Sequence, residues 1–111
     1  MTVLCVEHHP ASLNALQCRL ENAGYKVISA SNGREAVSSF AEQPVDGVLL
    51  EYDLPDRTGT DVRQEMKRIK PGIPVLLFAG IGPQTPILLR FFDAYLRHEG
   101  EPPSDSGGPR T

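Results

Sequence analysis

Glu7, His8, His9, Glu51 and Asp53 are the residues of this chain whose types suit chemistry. They come in two groups, VEHHP at 6–10 and VLLEYDLPDRTG at 48–59. In each group a short apolar run ends on a carboxylate and a turn-forming stretch follows. Carboxylates can take cations, move protons or attack electrophiles, and imidazole adds a titratable nitrogen. A set mixing His8, His9 and Glu51 would suit Zn²⁺ better than Mg²⁺. Neighbouring residues of an extended strand point to opposite faces, so His8 and His9 share a ligand only if the chain turns there. The plainer alternative is a histidine hydrogen-bonded to a neighbouring acid. Gly80-Ile81-Gly82-Pro83 lacks the spacing and the lysine of a phosphate-cradling loop and reads as a connection.

Elements that could bring the two groups together follow from the apolar pattern. TVLCVE (2–7), KVISA (26–30), GVLL (47–50) and PVLLF (74–78) read as strands. The first and third are apolar without clean alternation, as expected of strands covered on both faces. Pro10 suits the first turn of a helix whose inward residues are Leu13, Leu16, Leu20 and Ala23, with Gly24 as its stop. Asn32 and Glu35 have capping-box spacing ahead of Ala36, Val37, Phe40 and Ala41. A third helix is predicted from Gly59 to Lys70, with Val62, Met66 and Ile69 inward and Thr58 and Asp61 at its start. PILLRFF (86–92) is a short helix candidate and DAYLR (93–97) a fifth strand candidate. From Glu99 onward Pro, Gly and Ser dominate, which predicts a flexible tail over 99–111 and a domain over 1–98.

Strands alternating with helices predict an α/β fold. It is a doubly wound parallel sheet with right-handed crossovers and its functional crevice at the carboxyl ends of the strands. Glu7, His8, His9, Glu51 and Ala79 all lie at such ends.

Composition narrows the function classes. With 111 residues there is room for one domain. The net charge of −3 and pI near 5.5 argue against a nucleic-acid or anionic-membrane surface. The basic cluster Lys67-Arg68-Ile69-Lys70 sits at a helix end, where cations suit the dipole. No apolar run approaches the ~20 residues of a membrane span, and the N-terminus lacks the basic and cleavage regions of a signal peptide. Cys5 and Cys18 form no CxxC pair and read as small buried residues in a reducing cytoplasm.

VLCVEHHPASL, ENAGYKVISASNGREAV, VDGVLLEYDLPDRTG and PGIPVLLFAG together resemble the receiver domain of two-component response regulators, from about residue 2 to 97. The resemblance implies a flavodoxin-like, five-stranded sheet of order 2-1-3-4-5, with the last helix missing because PPSDSGGPRT cannot form it. Apolar sheet surface would then lie uncovered near the fourth and fifth strands, inviting a homodimer or a partner helix. The resemblance also implies the family's chemistry, phosphoryl transfer from a histidine kinase to an aspartate beside Mg²⁺. This chain departs from that pattern. Glu7 and His8 stand at the acid pair, Glu51 at the phosphoacceptor and Ala79 at the hydroxyl-bearing switch position. His98 or Arg97 stands at the lysine position, and Asp53 flanks the site. Imidazole at position 8 weakens Mg²⁺ binding, so no cofactor is expected. The implied function is a non-phosphorylatable, non-enzymatic protein-interaction module. The alternative is a working phosphoacceptor using Asp53 or Glu51. Glu51 is either a fixed substitute for the phosphorylated state or an idle carboxylate, and the sequence leaves both open. An acid/base hydrolase built on Glu7 and Glu51 has little support, since no substrate pocket beyond the sheet edge is evident. The expected partner is a histidine kinase or another signalling protein.

Overall fold

The structure, a computed structural model, describes residues 1–97 of the 111. His98 and the proposed tail at 99–111 lie outside the described residues. The elements in chain order are β1 (Thr2–Val6), α1 (Pro10–Asn22), β2 (Lys26–Ala30), α2 (Gly33–Glu42), β3 (Gly47–Glu51), α3 (Gly59–Ile69), β4 (Val75–Phe78) and α4 (Thr85–Arg97).

The four strands form one parallel sheet of order β2-β1-β3-β4, the order expected for the first four strands. Side-chain alternation along the two central strands explains their unbroken apolar sequence. Leu4 and Val6 of β1 and Val48 and Leu50 of β3 pack against Ala36 and Phe40 of α2 and Val62 and Met66 of α3. Val3, Cys5 and Leu49 face the other way, onto Leu16 and Leu20 of α1 and Phe92 and Leu96 of α4. Burying each such side chain contributes roughly 1.5–3 kcal/mol relative to exposure. The helix starts behave as their sequences predict. Asn32 Oδ1 accepts from Glu35 N–H at 2.8 Å and Thr58 Oγ1 from Asp61 N–H at 3.2 Å. At the other end of α3, Lys70 Nζ donates to the carbonyls of Phe40 and Gln43, so its cation ties α3 to the end of α2.

Several expectations are corrected, beginning with the fifth strand. Residues 93–97 are helical, not a fifth strand: α4 runs unbroken from Thr85 to Arg97. The reason is a continuous inward stripe of Leu88, Leu89, Phe92 and Leu96 at three- and four-residue spacing, with Asp93 and Arg97 paired one turn apart. Second, the sheet face beside α1 is not bare, because α4 covers it. Leu96 at its end settles on Gly47, one methyl occupying the place of a Cβ. Third, Cys18 is exposed while Cys5 is buried, because Leu16 and Leu20 turn position 18 outward on α1. Burial pushes the Cys5 thiol up to about 12, with Glu7 adding to the effect. Ala23, Ala41 and Ile69, all expected inward, are exposed at helix ends.

One polar contact ties α4 to the connection between α1 and β2. The part-buried Tyr25 hydroxyl donates to Asp93, whose carboxylate also accepts from Arg97 Nε at 3.0 Å. Hydrogen bonds from Arg97 and then Tyr25 hold the Asp93 carboxyl below its ordinary range. Burial, followed by the bond to Asp93, pushes the Tyr25 phenol up to about 12. The folded state therefore holds the phenolic proton more tightly than the unfolded chain does. This contribution is present below pH ~10 and is lost as the pH rises through about 12. For Asp93 the sign is opposite: its contribution is present above pH ~4 and is lost as the pH falls through the lowered folded value. The alkaline fall in melting temperature between pH 10 and 12 is expected to be smaller in Tyr25→Phe than in the native chain. Asp93→Asn should flatten the acid limb instead. Identical pH profiles for all three proteins would refute the linkage.

Gly59 supplies a second test. A Cβ there would lie 2.6 Å from the Glu51 carbonyl oxygen and 2.8 Å from Tyr52 Cα, so backbone itself would have to move. Gly59→Ala is expected to lose ~1–3 kcal/mol in denaturant unfolding, the range of overpacked sites. Gly72→Ala, where a Cβ would meet nothing within 4 Å, should stay within ~0.5 kcal/mol of the native chain.

Candidate functional site

Parallel pairing places the ends of β1, β3 and β4 at one edge of the sheet. Val6 is in register with Leu50, and Glu51 with Phe78. Glu7 N–H still donates to Ala30, so Glu7 continues β1 by one residue. Glu7 and Glu51 are consequently side by side at the edge, only 2% and 5% exposed. A cleft of about 700 Å³ opens there, lined by Glu7, His9, Ser12, Glu51, Asp53, Ala79 and Gly80 among others.

A buried carboxylate is costly unless donors surround it. Glu51 finds two, from two different loops. Its Oε1 accepts from Gly80 N–H at 2.8 Å and its Oε2 from Asp53 N–H at 3.0 Å. The first bond joins the end of β3 to the loop after β4. Gly80 adopts φ +76°, the left-handed region in which glycine is unstrained, so the chain turns directly after the amide that meets Glu51. The second bond closes the β3–α3 loop on the strand that precedes it. That loop is held further by a backbone bridge between Asp53 and Thr58 and by Asp56. The Asp56 carboxylate accepts from Gly33 N–H at 2.8 Å and Arg34 N–H at 3.0 Å. These bonds, Gly33 first, draw the Asp56 carboxyl below its ordinary range. Asp56 so caps α2 from outside the helix.

Glu7 is satisfied differently. Its Oε2 accepts from His9 N–H at 3.0 Å and lies 3.4 Å from His9 Nδ1. His9 is the residue before α1, and Pro10 begins the helix. The chain turns at this point, which leaves both imidazoles exposed, His9 beside Glu7 and His8 outside the cleft lining.

The residues singled out in the sequence thus divide. Glu7, Glu51, Asp53 and Ala79 line one cleft. Asp53 is exposed there, with its backbone rather than its side chain engaged by Glu51. His8 is not among the lining residues; its neighbour His9 is. The proposed grouping of His8, His9 and Glu51 is not assembled: no three His, Cys, Asp or Glu side chains among the described residues are placed to hold one metal ion. Arg97 is far from the cleft, paired with Asp93 at the end of α4 where Leu96 meets the first residue of β3. His98 lies outside the described residues. Sequence reasoning missed the Gly80 amide and the capping role of Asp56. A glycine two residues past a strand end was the available signal for the first; none marked the second.

Residues 3–91 match the family described as the response regulator receiver domain. Over 77 residues the chain is 34% identical to the probable transcriptional regulatory protein TcrX of Mycobacterium tuberculosis, covering 69% of this chain and 33% of that protein. It is 45% identical over 60 residues to the transcriptional regulatory protein KdpE of the same organism, covering 54% of this chain and 26% of that protein. The chain therefore spans a third or less of these relatives. Among solved structures, a CheY-like receiver domain protein from Methanospirillum hungatei superposes with a TM-score of 0.80 at 19% identity, over 88% of this chain and 94% of that one. The response regulator TrrA of Thermotoga maritima, solved with Mg²⁺ and BeF, does so with a TM-score of 0.70 at 26% identity, over 78% and 76%. TrrA solved with the histidine kinase ThkA gives a TM-score of 0.68 at 27% identity, over 73% and 70%. The match along most of the chain, carried on the shared strand order, makes this protein a member of the response regulator receiver family of two-component signalling.

Proposed function

We propose that this chain is a receiver-like interaction module that does not take up a phosphoryl group by the family's usual route. The observation that carries this reading is the Glu51 clasp. Both carboxylate oxygens are already occupied by the Asp53 and Gly80 amides. An incoming phosphoryl group needs donors for its own oxygens at the edge where it is attacked. Here the carboxylate of the chain itself has taken those donors, and charge-assisted bonds of this kind contribute about 1.5–3 kcal/mol each. Two further features support the reading: Ala79 offers no hydroxyl, and His8 stands outside the cleft.

Mg²⁺ demands near-octahedral oxygen ligation. The two buried acids meet that demand poorly, since one oxygen of Glu7 and both of Glu51 already accept hydrogen bonds. On this reading Mg²⁺ binding is weak, no reaction is catalysed, and the clasp holds the loops after β3 and β4 in one arrangement for a protein partner. A histidine kinase or another signalling protein in the cytoplasm is the proposed partner, in line with TrrA, which was solved with ThkA. The negative net charge supports no nucleic-acid role. The second reading, a working phosphoacceptor, is favoured by one observation: the Asp53 side chain is exposed at the cleft.

Intact-mass spectrometry after incubation with acetyl phosphate and Mg²⁺ separates the two. The native chain is expected to stay unmodified, and the triple variant His8→Asp, Glu51→Asp, Ala79→Thr to gain one phosphoryl mass. A phosphorylated native chain would overturn the proposal, and Asp53→Asn would then identify the acceptor. The clasp has its own readout. Glu51→Ala is expected to speed hydrogen exchange of the Gly80 and Asp53 amides on the order of tenfold or more, the loss of one charge-assisted bond each. Unchanged exchange at both amides would mean the clasp is not formed in solution.

A further inference from the structure

We propose that the Asn32–Gly33 pair is a self-modification site, at which Asn32 deamidates through a cyclic imide, and that Asp56 keeps it closed until the β3–α3 loop lifts from the start of α2. The site lies outside the cleft and does not depend on how Glu51 is used.

The reaction needs only water. The Gly33 nitrogen, its proton lost to hydroxide, bonds to Asn32 Cγ. The bond from Cγ to the side-chain nitrogen breaks, and ammonia leaves with a proton from water. Water then opens the five-membered ring at either carbonyl, giving aspartate or β-linked isoaspartate. The net exchange is NH2 for OH, with nothing oxidised or reduced. A side chain on the following residue obstructs the attack, and glycine has none. Asn32 is the one asparagine of the chain followed by glycine; Asn14 and Asn22 each precede alanine.

The fold itself imposes the reactive pair. A Cβ at position 33 would lie 2.9 Å from Val62 Cγ2 of α3 and 3.3 Å from Asp56 Oδ1. The close approach of α2 to α3 and to the loop before it therefore keeps residue 33 small. Asn32 is needed as the cap of α2.

Both reacting groups are held apart. Gly33 N–H donates to Asp56 Oδ1 at 2.8 Å, and Arg34 N–H to Asp56 Oδ2 at 3.0 Å. The attacking nitrogen must carry negative charge, and a carboxylate at hydrogen-bond distance opposes that charge. The Asp56 carboxyl also sits below its ordinary range, which makes it a poor base for the amide proton. Asn32 Oδ1 accepts from Glu35 N–H at 2.8 Å, and the Asn32 carbonyl accepts from Ala36 N–H at 3.0 Å. These bonds keep Asn32 extended, with ψ 171°, whereas ring closure folds the next nitrogen back onto Cγ. Only the Asp56 bonds come from outside α2 and its cap. Lifting the loop thus frees the nucleophile while the sheet stays folded.

The products act back on the lock. Aspartate at position 32 still caps α2, but it sets a second carboxylate beside Asp56 across Gly33, and like charges there loosen the loop. Isoaspartate adds a methylene to the backbone and moves the cap away from Glu35 N–H. Either product weakens the contact whose opening allowed it, so the change is one-way.

The test incubates the native full chain, Asp56→Ala and Leu16→Val in mildly alkaline buffer, beside native chain unfolded in guanidinium. Conversion of Asn32 is read by peptide mass mapping, with isoaspartate separated by chromatography. Asn32 is expected to convert on the order of tenfold or more slowly in the folded native chain than in the unfolded one, and Asp56→Ala to remove most of that protection. Leu16→Val loosens the opposite layer and leaves Asp56 in place, so its rate should stay close to native. Hydrogen exchange on the native chain supplies a reading that stands even where Asp56→Ala fails to fold. The Gly33 amide should exchange more slowly than in the unfolded chain but faster than that of Leu49, buried at the centre of β3. Any of four results would overturn the proposal: equal Asn32 rates in the folded and unfolded native chain, an unchanged rate in folded Asp56→Ala, the same acceleration in Leu16→Val, or Gly33 exchange no faster than that of Leu49.

Discussion

The carboxylate at the end of β3 is the constraint around which the edge of this molecule is arranged. β3 is buried at all five positions, so its last residue, Glu51, has little access to water. A charge in that place must be met by donors, and backbone amides are the nearest. Two loops supply one each. The geometry of both therefore follows from the same side chain: the left-handed turn at Gly80, and the tight return through Asp53 that Gly59 permits by lacking a Cβ. Asp56 extends the arrangement to α2. Sheet edge, two loops and one helix start are coupled through three carboxylates, Glu51, Asp56 and Glu7, none of which meets a lysine or arginine side chain within bonding distance among the described residues.

The second constraint acts at the other side of the sheet. After β4 the chain crosses to the face shared with α1, where Val3, Cys5 and Leu49 need covering. Phe92 and Leu96 cover them, and the Tyr25–Asp93–Arg97 contact fixes the helix in register. By taking that position α4 completes the second layer and shares its cluster with Leu76 and Phe78 of β4. The same helix that closes the core turns Ile87 and Phe91 to its exposed side, so packing and surface are two consequences of one crossover.

How far the sequence disclosed all this depends on the range of the interactions concerned. Short-range signals were legible. VLCV and VLL announced strands covered on both faces, Asn32 and Thr58 announced helix starts, and Glu7 and Glu51 announced a carboxylate edge. DAYLR was misleading because five residues can satisfy a strand pattern by themselves. Only the longer stripe from Leu88 to Leu96, and the sheet face it must cover, shows them as helix. Cys18 went astray for a similar reason: an apolar residue type does not reveal which side of a helix it occupies. Least legible were His9 and the Gly80 amide. Which of two adjacent histidines reaches Glu7 is decided by the turn before Pro10. A backbone donor has no side chain to advertise it.

The identity of residue 51 as glutamate has a geometric reason in this arrangement. The carboxylate must bridge from the end of β3 to an amide beyond the end of the neighbouring β4, while its other oxygen reaches back to Asp53. Aspartate is shorter by one carbon–carbon bond, ~1.5 Å. From the same backbone it would withdraw from one amide or the other and leave a buried donor unmet, at ~1–3 kcal/mol. The extra methylene thus places the negative charge out among the loop amides rather than back at the strand end. In the proposed reading that is the position an added anion would need. A side chain long enough to satisfy the site by itself leaves the site nothing further to bind, and the loops it joins are held by a covalently permanent ligand.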